Sequence, residues 1–175
     1  MKTILVIGPV TRRAGYGEQA RFALRSLRAH PERFNILIQD IPWGQSGQVS
    51  EDSEEQNFIT ETIAKTQQHI KQQLPVDITL QVTIPNEFKK LAPVNIGYTA
   101  GIETTRVSPQ WIQQAALMDK IILVSNHSKD VYEKTAYEGT NTQTGEKSIL
   151  RTQVPMEVVN YPVRSLEVDD LGLEL

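Results

Sequence analysis

The sequence predicts an α/β domain built on a doubly wound, mainly parallel sheet of about six strands, with helices on both faces. Three observations carry this prediction. Strand-like and helix-like segments alternate along most of the chain, the pattern that parallel crossovers impose. Two runs, TILVI at residues 3–7 and KIILV at 120–124, are short, continuous and rich in β-branched residues, as strands buried on both faces are, and both are expected at the centre of the sheet. The first run leads through a glycine-containing loop, GPVTRRAGYGEQAR at residues 8–21, straight into a helix. That junction is where α/β proteins hold phosphates.

The elements follow in order. In the first helix Ala20, Ala23, Leu24 and Leu27 recur at i, i+3, i+4 and i+7, and Arg21, Arg25 and Arg28 are assigned to the water side. Residues 34–41 (FNILIQDI) read as a second strand, ended by Pro42 and a Gly/Ser/Gln-rich loop through Ser50. A helix is expected over residues 52–74, opened by the acids Glu51, Asp52, Glu54 and Glu55 and closed by Pro75. Its expected apolar stripe is Ile59, Ile63, Ile70 and Leu74. Residues 77–84 form a third strand, 85–91 a connector and 94–99 a fourth strand.

Ser108 followed by Pro109 is a helix start, a hydroxyl cap before proline at the first helical position, leading into residues 111–117. After the strand at 120–124, Ser125 and Asn126 cap a helix carrying Val131, Tyr132 and Thr135. Residues 138–146 are polar and turn-rich between stretches able to pair as a hairpin, and 156–160 read as a last strand. Residues 1–163 therefore form one domain, and 164–175 a tail or a shortened interdomain linker. No internal repeat occurs.

Bulk composition narrows the function. A chain of 175 residues, 39% of them hydrophobic, supports one core and is short for two. A net charge of −3 gives no general attraction to nucleic acid or to anionic membrane. Arg12, Arg13, Arg21, Arg25 and Arg28 nevertheless crowd the first strand-helix unit, so a local anion site is compatible with the acidic total. The absence of cysteine excludes disulfides, thiolate zinc sites and cysteine nucleophiles. The short apolar run at the N-terminus does not suit a signal peptide, and no run approaches the roughly 20 residues of a membrane span. A cytoplasmic protein is expected, with neither nucleic acid nor membrane as partner; a homodimer is left open.

Three phosphate-loop chemistries compete for residues 8–21. The nucleotide-triphosphatase loop needs a lysine and a hydroxyl after its last glycine, where Glu18 and Gln19 stand. The dinucleotide fingerprint is matched by Gly15, Gly17 and Ala20, with Asp40 at the end of the second strand as ribose carboxylate, but six residues, 9–14, separate strand and glycines. The third is a longer loop ending in a glycine pair. In it Gly15 and Gly17 let unpaired backbone N–H groups face an anion. On that reading either glycine can be replaced with stability nearly unchanged; the other reading is that both serve only a tight turn.

The ordered set GPVTRRAGYGEQARFALRSL and VNIGYTAGIETTRVSPQWIQQAALMDKIILVSNHSKDVYEK resembles the N-terminal domain of retaining, nucleotide-sugar-using glycosyltransferases of the GT-B type. The matching positions are Gly15, Tyr16 and Gly17; Tyr98, Thr99 and Glu103; Pro109 and Trp111; Asp119; and Ser125, Lys129 and Val131. The resemblance implies a Rossmann-like domain, one half of a GT-B fold, that binds a sugar or other small-molecule acceptor. It also implies that the nucleotide-sugar donor needs a second, C-terminal domain outside this sequence, and that this chain alone holds no cofactor and transfers little or no sugar. Thr99, Ala100 and Gly101 stand where such proteins commonly carry a histidine, and residues 138–152 look inserted.

Under this resemblance Glu103 is the candidate catalytic carboxylate, its alternative being a solvated loop residue. Gly15, Tyr16, Gly17 and Arg13 are candidates to hold the donor's phosphates, and Trp43, Thr99 and Arg12 to hold the acceptor. Trp43 could equally anchor its own loop, and Tyr98 and Thr99 could pack beneath the site. Trp111 is read as core or inter-helix packing, its alternative being a partly exposed acceptor-stacking role. His30, His69 and His127 are too scattered for a metal site or a Ser-His-Asp triad, no D-x-D stands at a strand end, and Asp169 with Asp170 fits neither, so no metal is expected. The rival reading from another class is a non-enzymatic domain that binds a small ligand or a protein.

Overall fold

The structure, a computed structural model, describes residues 1–49, 53–140 and 145–163. Six strands form one all-parallel sheet: β1 (Lys2–Gly8), β2 (Phe34–Asp40), β3 (Ile78–Val82), β4 (Val94–Thr99), β5 (Lys120–Leu123) and, after an inserted hairpin, a strand at Met156–Val158. The hairpin consists of β6 (Ala136–Thr140) and β7 (Lys147–Arg151), antiparallel and separate from the main sheet, which makes the last strand β8. The order across the sheet is β2-β1-β3-β4-β5-β8. The predicted doubly wound, Rossmann-like fold is thus present. The two apolar runs are interior but not central: β1 and β5 are each next to an edge strand, and the more polar β3 and β4 occupy the middle.

Among the described residues four α-helices cover the sheet. On one face α1 (Gly15–Arg28) and α2 (Glu54–Lys71) pack Ala20, Ala23, Leu24 and Ile59 against Ile4, Val6, Ile36, Ile38, Leu80 and Val82. On the other, α3 (Pro109–Ala115) and α4 (Asn126–Lys134) bring Ile112, Val131 and Tyr132 to Ile121 and Leu123. The glycine in β4 has a packing reason: a β-carbon on Gly97 would meet the ring of Phe88 at 2.5 Å. Serine starts three helices. Ser53, Ser108 and Ser125 accept backbone N–H groups of Gln56, Trp111 and Ser128 at 3.2, 3.2 and 3.1 Å, satisfying donors that the first turn leaves unpaired.

Two sequence expectations change. In α2 the buried residues are Ile59, Thr62 and Thr66, whereas Ile70 is 57% and Leu74 47% exposed. Thr66 Oγ1 donates to Thr62 O and accepts the β2 backbone N–H of Ile38 at 2.8 Å, so a threonine pair joins helix to strand beside Ile59 and Ile63, which pack as expected. In α1 Arg21 is buried, with only 8% exposure, instead of lying on the water side. Of the residues expected to open α2, Glu51 and Asp52 lie outside the described residues, as do 141–144 of the polar stretch and the tail at 164–175.

Candidate functional site

In an open parallel sheet, ligands bind beyond the carboxyl ends of the strands, where the chain order reverses. Here that reversal lies between β1 and β3. Above it stand the β1-α1 loop (residues 9–14), the β4-α3 loop (100–108) and the loop after β2.

Tyr16, in the first turn of α1, spans the crevice. Its hydroxyl lies 2.8 Å from Thr99 Oγ1 and accepts the Ala100 N–H at 3.2 Å. Its ring meets Trp43 with centroids 4.7 Å apart, tilted by 43°. Burial raises the Tyr16 pKa, partly offset by the bonds to Thr99 and Ala100. Thr99 is itself fully buried and also accepts Gly101 N at 3.4 Å, so it supports Tyr16 from beneath and leaves no surface for an acceptor. Trp43 is half-buried on the rim, beside Gly44 at φ 50°.

The β1-α1 loop is held from three sides. Asp40 accepts the N–H and hydroxyl of Thr11 at 3.1 and 2.7 Å. Arg13 N donates to Gly47 O and Val49 N to Thr11 O, both at 2.8 Å. From below, Arg21 Nη1 donates to the carbonyls of Val10 and Arg12 at 2.8 and 3.1 Å. Asp40 therefore clamps a loop and is not an open ribose carboxylate.

The glycine pair divides. A β-carbon on Gly15 meets nothing within 4 Å, whereas one on Gly17 would run into Arg12 O and lie 2.9 Å from Pro9 O. Gly17 thus makes room for the loop's own carbonyls, contrary to the expectation that both glycines tolerate a side chain. Helix α1 begins at Ala14 without a side-chain cap, which leaves the first-turn N–H groups of Gly15 and Tyr16 unsatisfied by any cap.

The arginines do not form a free basic patch. Arg21 and Arg25 share Glu18, Arg25 pairs with Glu55, and Arg28 pairs with Glu54. Burial would raise the Glu18 pKa, but hydrogen bonds and charge from Arg25 and Arg21 outweigh it and hold the carboxyl below its ordinary value. Arg12 Nη1 reaches Ser46 O at 3.5 Å, while its Nε is buried without a partner among the described residues. Arg13 is exposed on the rim of a polar cavity of about 460 Å³ between the starts of α1 and α2.

Glu103 is exposed in the β4-α3 loop, and no hydrogen bond or ion pair among the described residues joins it to Tyr16, Trp43 or Arg12. Trp111 packs as expected, stacked on Tyr132 at 6.4 Å. Among the described residues no cluster of His, Asp and Glu could hold a metal ion, and no helix is long and apolar enough to cross a membrane.

Several crevice residues gave no signal in sequence. Gln19, 1% exposed, accepts Tyr161 Oη at 3.0 Å and leaves its Nε2 unpartnered among the described residues. Thr83, just past β3, and Tyr132 also carry buried hydroxyls without partners among the described residues. Gly101, at φ 84°, passes against Ser128, and a β-carbon there would collide with that side chain. No family model, curated protein or solved structure matches the chain.

Proposed function

We propose that the chain is the acceptor-side domain of a two-domain glycosyltransferase, in which a sugar or other hydroxyl-bearing acceptor lies over the carboxyl edge of the sheet against Trp43. The observation that supports this reading most is the Tyr16–Trp43 ring pair at the chain-order reversal. An indole face takes up the apolar face of a pyranose, while the ring edge and nearby backbone groups meet its hydroxyls. In this reading Arg13 and the open first turn at Gly15 meet a donor phosphate, and Glu103, in the β4-α3 loop of the same domain, is the carboxylate offered to the acceptor. Nucleotide sugar binds between the two domains, so the chain alone performs little transfer.

The solitary position of Glu103 favours a second reading, a binding domain without chemistry. One experiment tests the acceptor site that the first reading needs. In a Trp111→Phe background Trp43 is the sole tryptophan, and its fluorescence is titrated with mono- and disaccharides, with nucleoside diphosphates and with nucleotide sugars. The transferase reading expects a saturable response to saccharides in the millimolar range, lost in Tyr16→Ala, and no turnover. No response to any saccharide removes the acceptor role; turnover by the isolated chain removes the need for a second domain.

A further inference from the structure

Gln19 is a polar side chain buried where α1 otherwise packs Ala20, Ala23 and Leu24, and it is 1% exposed. Its Oε1 accepts the Tyr161 hydroxyl at 3.0 Å, but its Nε2 is buried without a partner among the described residues. Native proteins pair nearly all such donors, so an amide left half-used calls for a use.

Its position supplies one. Gln19 stands three residues after Tyr16, on the same side of α1 as the phenol that spans the crevice. The phenols of this region lie close enough to act on one another. Burial raises the Tyr161 pKa and Tyr16 adds to it, while burial together with Tyr161 pushes Tyr98 up to about 12. The hydrogen-bonding groups gathered here, Tyr16, Gln19, Thr99 and Tyr161, are neutral, and the cations of the same helix are committed elsewhere, Arg21 to Glu18 and Arg25 to Glu18 and Glu55.

Tyr161 belongs to a strap that leaves the sheet. After β8, Val159 N donates to Leu123 O at 2.8 Å and Asn160 Nδ2 to Val124 O at 2.9 Å, which ties the chain to the end of β5. Beyond those ties Tyr161 rests on α1 through its bond to Gln19 and a tilted ring contact with Phe22 at 6.4 Å, and it stays 44% exposed. Val163 is 95% exposed. A single neutral hydrogen bond and one ring contact make a closure that a ligand can compete with.

We propose that Gln19 is a specificity-determining residue for the acceptor and that Tyr161 is its latch, an assignment that rests on the acceptor reading of the crevice and names the substrate class as a neutral saccharide with two adjacent hydroxyls. When the strap lifts, the carboxamide presents an acceptor, Oε1, beside a donor, Nε2. One ligand hydroxyl takes the place of Tyr161 in donating to Oε1, and its neighbour accepts from Nε2. The ligand thereby satisfies the group that the latched state leaves unpaired.

The test uses the full chain with Trp111→Phe, so that Trp43 reports binding. Dissociation constants are measured for methyl glucoside, methyl mannoside and methyl galactoside and for their monodeoxy analogues, each lacking one hydroxyl of an adjacent pair. The tightest of the three parents is expected to lose about tenfold in affinity in at least one analogue. Gln19→Met, which keeps length and burial but removes both bonds, weakens that parent about tenfold and erases the difference between parent and analogue. Tyr161→Phe, which weakens the latch and leaves Gln19 intact, tightens the parent a few fold by raising the population of the open form. A Trp43 response that Gln19→Met leaves unchanged overturns this assignment while the acceptor reading stands; no response to any saccharide in any variant overturns both. Binding that Tyr161→Phe leaves unchanged or weakens overturns the assignment as well, and that result decides alone if circular dichroism shows Gln19→Met unfolded.

Discussion

The hydroxyl of Tyr16 lies 2.8 Å from Thr99 Oγ1, fastening the first turn of α1 to the end of β4 across the end of β3. The same oxygen accepts the Ala100 N–H, so one side chain sets the distance between the two loops that wall the crevice. The Trp43 ring leans on this tyrosine, which couples the third loop to the same point.

Tyr16→Phe is therefore expected to destabilise the domain by about 1–2 kcal/mol, because Thr99 Oγ1 and Ala100 N lose a partner in a poorly solvated place. In urea unfolding, a double-mutant cycle with Thr99→Val should show a coupling of about 1 kcal/mol. Additive effects would mean that the bond contributes nothing in solution.

Gly15→Ala and Gly17→Ala should behave differently. Gly15 faces open space, and its substitution should change stability by no more than about 0.5 kcal/mol, as surface changes do. Gly17 lies against Arg12 O, so its substitution forces the loop apart and should lower stability by about 2 kcal/mol or more. Thermal unfolding of the two variants side by side checks this.

Arg21→Ala removes a buried guanidinium that holds two loop carbonyls and Glu18, and should cost about 3 kcal/mol. Arg21→Lys should not restore it, because an ammonium cannot reproduce the planar fork. Chemical denaturation of both variants is the measurement; recovery with lysine would show that charge alone matters.

Acid should loosen the same network. The Glu18 pKa is lowered from its ordinary value of 4.5, burial opposing and Arg25 and Arg21 prevailing. A carboxyl with a lowered folded pKa adds stability that is complete above about pH 4.5 and is lost as pH falls through the folded value. Glu18→Gln should accordingly flatten the fall in stability below that pH while lowering stability near neutrality. Parallel acid-unfolding curves would disprove it.

Much of the architecture is legible in the sequence because it rests on local rules. Ser108 before Pro109 marks a helix start through a hydroxyl and a fixed φ, and Ser125 before Asn126 marks one through its hydroxyl, neither of which needs a distant partner. The runs at 3–7 and 120–124 announce interior strands by composition alone. Arg21 shows the limit. Helical spacing puts it on the outer face, but the loop of residues 9–13 folds back over that face and supplies two carbonyls that only a buried donor can satisfy. Ile59 and Ile63 pack as expected, whereas Thr62 and Thr66 join the buried face for a similar reason, since β2 offers α2 a backbone N–H to bind, and Ile70 and Leu74 stay exposed.

The sequence by itself determined the alternation of strand and helix, the parallel sheet and the place of the first glycine loop, since periodicity and capping act over a few residues. Tertiary structure alone decided that Gly17 yields to its own loop while Gly15 stays open, that Asp40 clamps Thr11, that Tyr16 meets Thr99, and that Arg25 and Arg28 are neutralised by Glu55 and Glu54. Each of those outcomes joins atoms that are neighbours only after the chain has crossed the sheet, and hydrogen bonds and ion pairs act over a few ångströms of space, whatever the separation along the sequence.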